Sequence, residues 1–186
     1  MEKFNNVLDF ARKTIETELY SLGKLTDYLD DNFSQAVEAI LQSKGRVVIT
    51  GIGKSAIIAQ KIVATMNSTG TPAIFMHAAD AIHGDLGMIQ SSDVVVCISK
   101  SGNTPEIKVL VPLLKRDQNP LIAITANKES FLATQSDYVL YAYTEREACP
   151  NNLAPTTSTT SQLVIGDALA VALMQVKAFG SADFAK

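Results

Sequence analysis

The sequence contains no tryptophan, only two cysteines and only two histidines, and its lysines and arginines nowhere gather into blocks. Each scarcity removes a class of function. With a formal net charge of -3 and no basic patch, the chain lacks the electrostatic footprint of a nucleic-acid binder. Cys97 and Cys149 lie far apart without metal-type partners, and Cys97 falls in an apolar run where reduced cysteine packs. A reducing cytoplasm suits both. The start, MEKFNNVLDFARKTIETELY, is amphipathic and carries acids, unlike a secretory or transit peptide, and no apolar run reaches the length of a membrane span. The expectation is a cytoplasmic protein with neither a membrane nor a nucleic acid as partner.

What is present is a core-forming composition, 47% hydrophobic, arranged in two styles. Val7, Phe10, Ala11, Ile15, Leu19 and Leu22, then Phe33, Val37, Ala39, Ile40 and Leu41, recur at helical spacing and predict an N-terminal arm of helices over 1–45 packed on the rest. Residues 46–186 read as one structural unit. Within it RVVIT (46–50), PAIFM (72–76), DVVVCIS (93–99), PLIAIT (120–125) and DYVLYA (137–142) are too continuous for strands wet on one face. Helical stretches at 55–69, 104–116, 129–134 and 158–179 separate or follow them. The predicted fold is α/β: a doubly wound, five-stranded parallel sheet with helices on both faces. Such folds bind ligands at the carboxyl ends of their strands, which directs attention to the loops there.

The first loop, TGIGKSA (50–56), fails as a nucleotide-triphosphate loop because Val48 stands where that motif requires glycine. A glycine-rich turn remains, with Gly53 and Lys54 opening a helix whose free N–H groups favour an anion; the plainer alternative is a tight turn beside a solvated lysine. The stretch CISKSGNTPEI (97–107) repeats that geometry. Thr104 is expected to cap a helix with Pro105 at its first position and Glu106 in its first turn. Capping leaves Ser99, Ser101, Gly102 and Asn103 unexplained, and hydroxyls around a glycine make a neutral cradle for phosphate; an ordinary polar turn is the alternative. Glu106 either complements the helix dipole or faces the rest of a ligand.

His77 and His83, with Asp80 and Asp85, share HAADAIHGDLG, whose spacing matches no common zinc pattern. The loop TEREACPNNLAPTTSTT offers Glu145 and Glu147, and Glu147 reads as a general base or as a solvated loop carboxylate.

Taken in order, GIGKSA, HAADAIHGDLGMI, SKSGNTPEI, REACPNNLAPTTSTT and GDALAVAL closely resemble the sugar isomerase (SIS) domain of D-arabinose-5-phosphate isomerases, from about residue 33 onward. The resemblance implies interconversion of D-ribulose 5-phosphate and D-arabinose 5-phosphate through a cis-enediol, an entry step to Kdo for lipopolysaccharide or capsule. It also implies no cofactor and a homotetramer with active sites at subunit boundaries. It places the catalytic lysine on Lys54, the two catalytic glutamates on Glu106 and Glu147, and the substrate histidine on His83. A metal-sensitive histidine falls on His77, a substrate-contacting Gly-Thr pair on Gly70 and Thr71, and the phosphate cradle on Ser55, Ser99, Ser101 and Thr104. Within that scheme Glu147 is the favoured carbon base, its pKa raised by enclosure, and Lys54 steadies the enediolate oxygen.

Three departures qualify the likeness. Ala56 stands where the family has glycine. Longer members append a pair of CBS-type domains, and before them a Ser-His-Pro-Gly-Gly segment whose histidine is counted as catalytic; the present sequence stops at DFAK, ahead of both. On these residues alone His83 is expected to shuttle protons for ring opening. The rival readings are a 3-hexulose-6-phosphate isomerase and a non-catalytic phosphosugar sensor.

Overall fold

The computed structural model describes residues 6–184; residues 1–5 and 185–186, the outer ends of the expected arm and domain, lie outside the described residues. In chain order the elements are α1 (Val7–Lys24), a short 3-10 turn, α2 (Asp31–Gln42), β1 (Val47–Gly51), α3 (Lys54–Ser68), β2 (Ala73–His77) and α4 (Ala78–Ala81). After a second 3-10 turn come β3 (Val94–Ile98), α5 (Pro105–Arg116), β4 (Leu121–Thr125), α6 (Phe131–Gln135), β5 (Tyr138–Tyr141), α7 (Thr157–Val176) and α8 (Ser181–Phe184). All five strands pair in parallel, in the order β2-β1-β3-β4-β5.

Successive strand side chains point to opposite faces, and both faces are buried, which is why the strands read as unbroken apolar runs. Val94, Val96 and Ile98 of β3 join Ala36, Val37 and Ile40 of α2, Ile62 and Met66 of α3, and Leu169 and Leu173 of α7 in one core. Val95 and Cys97 pack the other way, against Ile107, Leu110 and Val111 of α5 and Leu132 of α6. Burial pushes the Cys97 thiol up to about 12, so this cysteine is an apolar packing group.

Two sequence expectations about α7 need correction. Its 20 residues, of mean hydropathy 1.3, are long and apolar enough to cross a membrane by length and composition, contrary to the reading that no such run exists. Here they form a core helix that buries Ile165, Leu169, Ala170 and Leu173. The helix also ends at Val176, short of the expected 179. Ala178 takes the left-handed conformation (φ 51) and the Phe179 amide bonds back to the Met174 carbonyl, so the chain turns at Ala178 and not at Gly180.

α7 lies along α3. Gly166 leaves the notch that Ile62 fills, Lys61 Nζ reaches both Asp167 oxygens at 2.5 and 2.7 Å, and Ser55 Oγ donates to Gln162 Oε1 at 3.1 Å. At the far end Lys177 Nζ donates to the Gly70 carbonyl and Thr71 Oγ1.

Candidate active site

The strand order decides where a ligand can sit. β1 is flanked by β2 on one side and β3 on the other, so the connections leaving β1 and β3 depart in opposite directions and open a crevice at their carboxyl ends. A cavity of about 260 Å³ lies there, lined by Ile52, Lys54, Ser55, Ser99, Lys100, Ser101, Thr104, Pro155, Ser158 and Thr159. Its walls come from the starts of three helices: Lys54 and Ser55 open α3, Thr104 precedes α5, and Ser158 and Thr159 lie in the first turn of α7.

Gly53, with φ 58, makes the turn into α3, a conformation side chains disfavour, and α3 has no side-chain cap. The Lys54 side chain is exposed and makes no hydrogen bond among the described residues. On the β3 side, Ser99 Oγ accepts from the Gly102 amide at 3.1 Å and Ser101 Oγ from the Asn103 amide at 3.3 Å, which fixes both oxygens and leaves their protons available to an acceptor. The loop itself is clamped. Gly102 (φ 62) abuts Ser130, its carbonyl accepts from Leu132, and Asn103 Oδ1 accepts from the Phe131 amide at 2.9 Å. In this chain, therefore, Gly102 and the Asn103 side-chain oxygen hold the loop to α6 while Ser99 and Ser101 line the cavity.

Thr104 departs from expectation in an informative way. Only its carbonyl takes part in α5, accepting from the Lys108 amide; the side chain makes no capping bond, and Oγ1 is buried without a partner. A buried hydroxyl without a partner costs free energy unless something fills its valence, and here that position faces a cavity. The side chain of Glu106, half-buried in the first turn of α5, makes no hydrogen bond among the described residues.

Glu147 is the opposite case. It is wholly buried, neither solvated nor open to the cavity, and its carboxylate is saturated. Oε1 accepts from Lys100 Nζ at 2.7 Å and Ser158 Oγ at 2.5 Å; Oε2 accepts from the Thr156 and Ser158 amides at 2.8 and 3.1 Å and from Thr156 Oγ1 at 3.3 Å. Burial works to push this carboxyl up, but the bonds from Lys100, Ser158 and the two amides outweigh it and bring it down to about 2. The expected upward shift is thus reversed, because the side chain caps α7 and pairs with a lysine.

Other expected residues lie elsewhere in the chain. Gly70 and Thr71 sit ahead of β2, at the amino edge of the sheet, under Lys177. His83 is exposed in the turn after α4 and does not line the cavity. His77, the last residue of β2, faces Asp80 with Nδ1 3.6 Å from Oδ2, and among the described residues no three His, Cys, Asp or Glu side chains gather as metal ligands. Conversely, Lys100, Ser158 and Thr159 line the cavity although the motifs did not single them out.

The SIS-domain profile matches residues 40–172, most of the chain. The chain belongs to the SIS-domain family. This SIS domain is 50% identical over 181 residues to a probable arabinose 5-phosphate isomerase of Haemophilus influenzae, covering 97% of the chain and 54% of that relative. It is 48% identical over 175 residues to the arabinose 5-phosphate isomerase KdsD of Escherichia coli K12, covering 94% and 53%. The chain therefore spans about half the length of these curated relatives. The structure of E. coli CFT073 c3406 in complex with arabinose 5-phosphate superposes with a TM-score of 0.93 at 40% identity, covering 98% of this SIS domain and 97% of that chain.

Proposed function

We propose that this SIS domain interconverts D-ribulose 5-phosphate and D-arabinose 5-phosphate, without a cofactor, as the entry to Kdo for lipopolysaccharide or capsule in the cytoplasm. The observation that carries the reading is the unpartnered, buried Thr104 hydroxyl beside Ser99, Ser101, Ser55 and Lys54 at the strand ends. Phosphate supplies the acceptors these donors need, and the alignment with a chain solved with arabinose 5-phosphate supports the same choice.

Moving a proton between C1 and C2 needs a base over the carbon, a cation for the enediolate oxygen and an anchor remote from the reacting atoms. Ser99, Ser101, Thr104 and Ser55 anchor the phosphate, and Lys54 stabilises the oxygen. Glu147 is the carbon base, reached through Lys100, which lines the cavity and covers Oε1; withdrawing that cation opens the carboxylate to the cleft and raises its proton affinity. Glu106, free of partners, orients the sugar hydroxyls. His83 shuttles protons and reaches the cleft from a neighbouring subunit. The exposed apolar residues of α1 (Leu8, 68% exposed; Phe10, 62%; Leu19, 60%) fit burial in a homotetramer.

A coupled assay with ribulose 5-phosphate tests this: turnover to arabinose 5-phosphate is expected. Turnover of 3-hexulose 6-phosphate instead would replace the substrate, and tight binding without turnover would make the protein a phosphosugar sensor.

A further inference from the structure

A carboxylate that already accepts from five donors resists protonation, yet four of those donors belong to Thr156 and Ser158 at the start of α7. Lys100 is the exception. It approaches from the loop after β3 on a flexible stem, its side chain 42% exposed, and it lines the cavity beside Ser99, Ser101 and Thr104. Its ammonium thus stands between a buried carboxylate and the cradle. The other charged groups around this point do not compete for it. Arg146 Nε donates to the Glu147 carbonyl, Lys54 of α3 lies across the cleft, and Glu18 of α1 accepts from Thr160 Oγ1 further along α7.

We propose that Lys100 is a positioning residue shared between Glu147 and the bound phosphate: an anion on Ser99, Ser101 and Thr104 draws the ammonium off Glu147 and leaves the carboxylate free to accept the carbon proton. The inference rests on the phosphosugar reading of the cleft. A dianion is a stronger attractor than a monoanion that keeps four other donors, and a fully buried carboxylate that loses its only cation binds protons more tightly. The base is thereby masked in the free protein and exposed by its own substrate.

Sulfate, which stays dianionic and does not itself titrate near neutrality, is the probe. Calorimetry on the wild type, Glu147→Gln, Lys100→Met and the double variant forms a cycle. Glu147→Gln should tighten sulfate roughly tenfold, the worth of a charge-assisted bond no longer competed for. Lys100→Met should weaken it by a similar factor, and the tightening should vanish in the double variant. Tightening that persists without Lys100 would reduce the effect to charge repulsion; weakening by Glu147→Gln would make the pair purely structural. Either result overturns the proposal. Should a variant fail to fold, the wild type decides: sulfate binding should be accompanied by proton uptake toward the acid end of the range in which the protein stays folded, and its absence throughout that range refutes the handover. Lys100→Arg should retain the uptake. Turnover of ribulose 5-phosphate without this linkage sinks this inference alone, whereas linkage without turnover sinks the isomerase reading alone.

Discussion

Two helix starts face the same cleft and are finished in opposite ways. The start of α5 has no side-chain cap and a buried hydroxyl, Thr104 Oγ1, without a partner; the start of α7 is capped by the carboxylate of Glu147, which also holds Lys100. The exposed N–H groups and dipole of a helix start attract negative charge in either case. α7 satisfies that demand with a carboxylate from within the chain, whereas α5 leaves it without a side-chain partner. Thr157 Oγ1, in the first residue of α7, is likewise buried without a partner, so the two starts differ in their backbone caps: a buried carboxylate closes α7, and no side chain closes α5.

Variants can break this contrast. The largest effect is expected on turnover: Lys54→Ala, which removes the cleft's unpaired cation, should lower kcat about 100-fold or more with the fold intact, as seen by circular dichroism. Next comes stability. Glu147→Ala strips α7 of its cap and Lys100 of its partner, and should cost on the order of 2–3 kcal/mol by denaturant unfolding, less than a fully buried pair because Lys100 is part-exposed. The same residue sets an acid limit. Its folded pKa is depressed to about 2, so its contribution is complete above the ordinary carboxylate value of 4.5 and is lost as pH falls from there toward 2. Glu147→Gln should flatten the unfolding free energy across that window; an unchanged acid profile would separate Glu147 from acid stability.

Smaller effects are expected at α5. Thr104→Val should weaken phosphate or sulfate binding about tenfold, which isothermal titration would read. Smallest of all, the same substitution should change unfolding free energy by less than about 1 kcal/mol, because it removes a hydroxyl that bonds to nothing in the free protein. A large loss of stability in Thr104→Val would erase the distinction between the two helix starts.

The fold was legible wherever burial on both faces of the sheet forced continuous β-branched runs, and all five strands lie where those runs predict. The gathering of these side chains around one cavity was legible too, because Ser99, Ser101 and Thr104 follow one strand and Lys54 and Ser55 another, and strand order brings the two loops together. The Lys100–Glu147 pair was not, since nothing local in SKSG or EREACP records a partner 47 residues away. That pairing reversed the expected direction of the Glu147 shift. The turn at Ala178 was missed for a different reason: glycine is the usual left-handed residue, and here alanine adopts that conformation two positions earlier, where the Phe179 ring packs over Gly70.

The seam between α3 and α7 has a mechanical consequence. Ser55 with Gln162, Ile62 in the notch at Gly166, Lys61 with Asp167, and Lys177 with Gly70 and Thr71 fasten the two helices from end to end. The cleft wall that presents Lys54 and the anchor of Glu147 is consequently a stiff beam, and its geometry is set before any ligand arrives. Rearrangement at this cavity then falls to part-exposed side chains of the facing loop such as Lys100, whose rotation is a picosecond-to-nanosecond event that surrenders little backbone entropy.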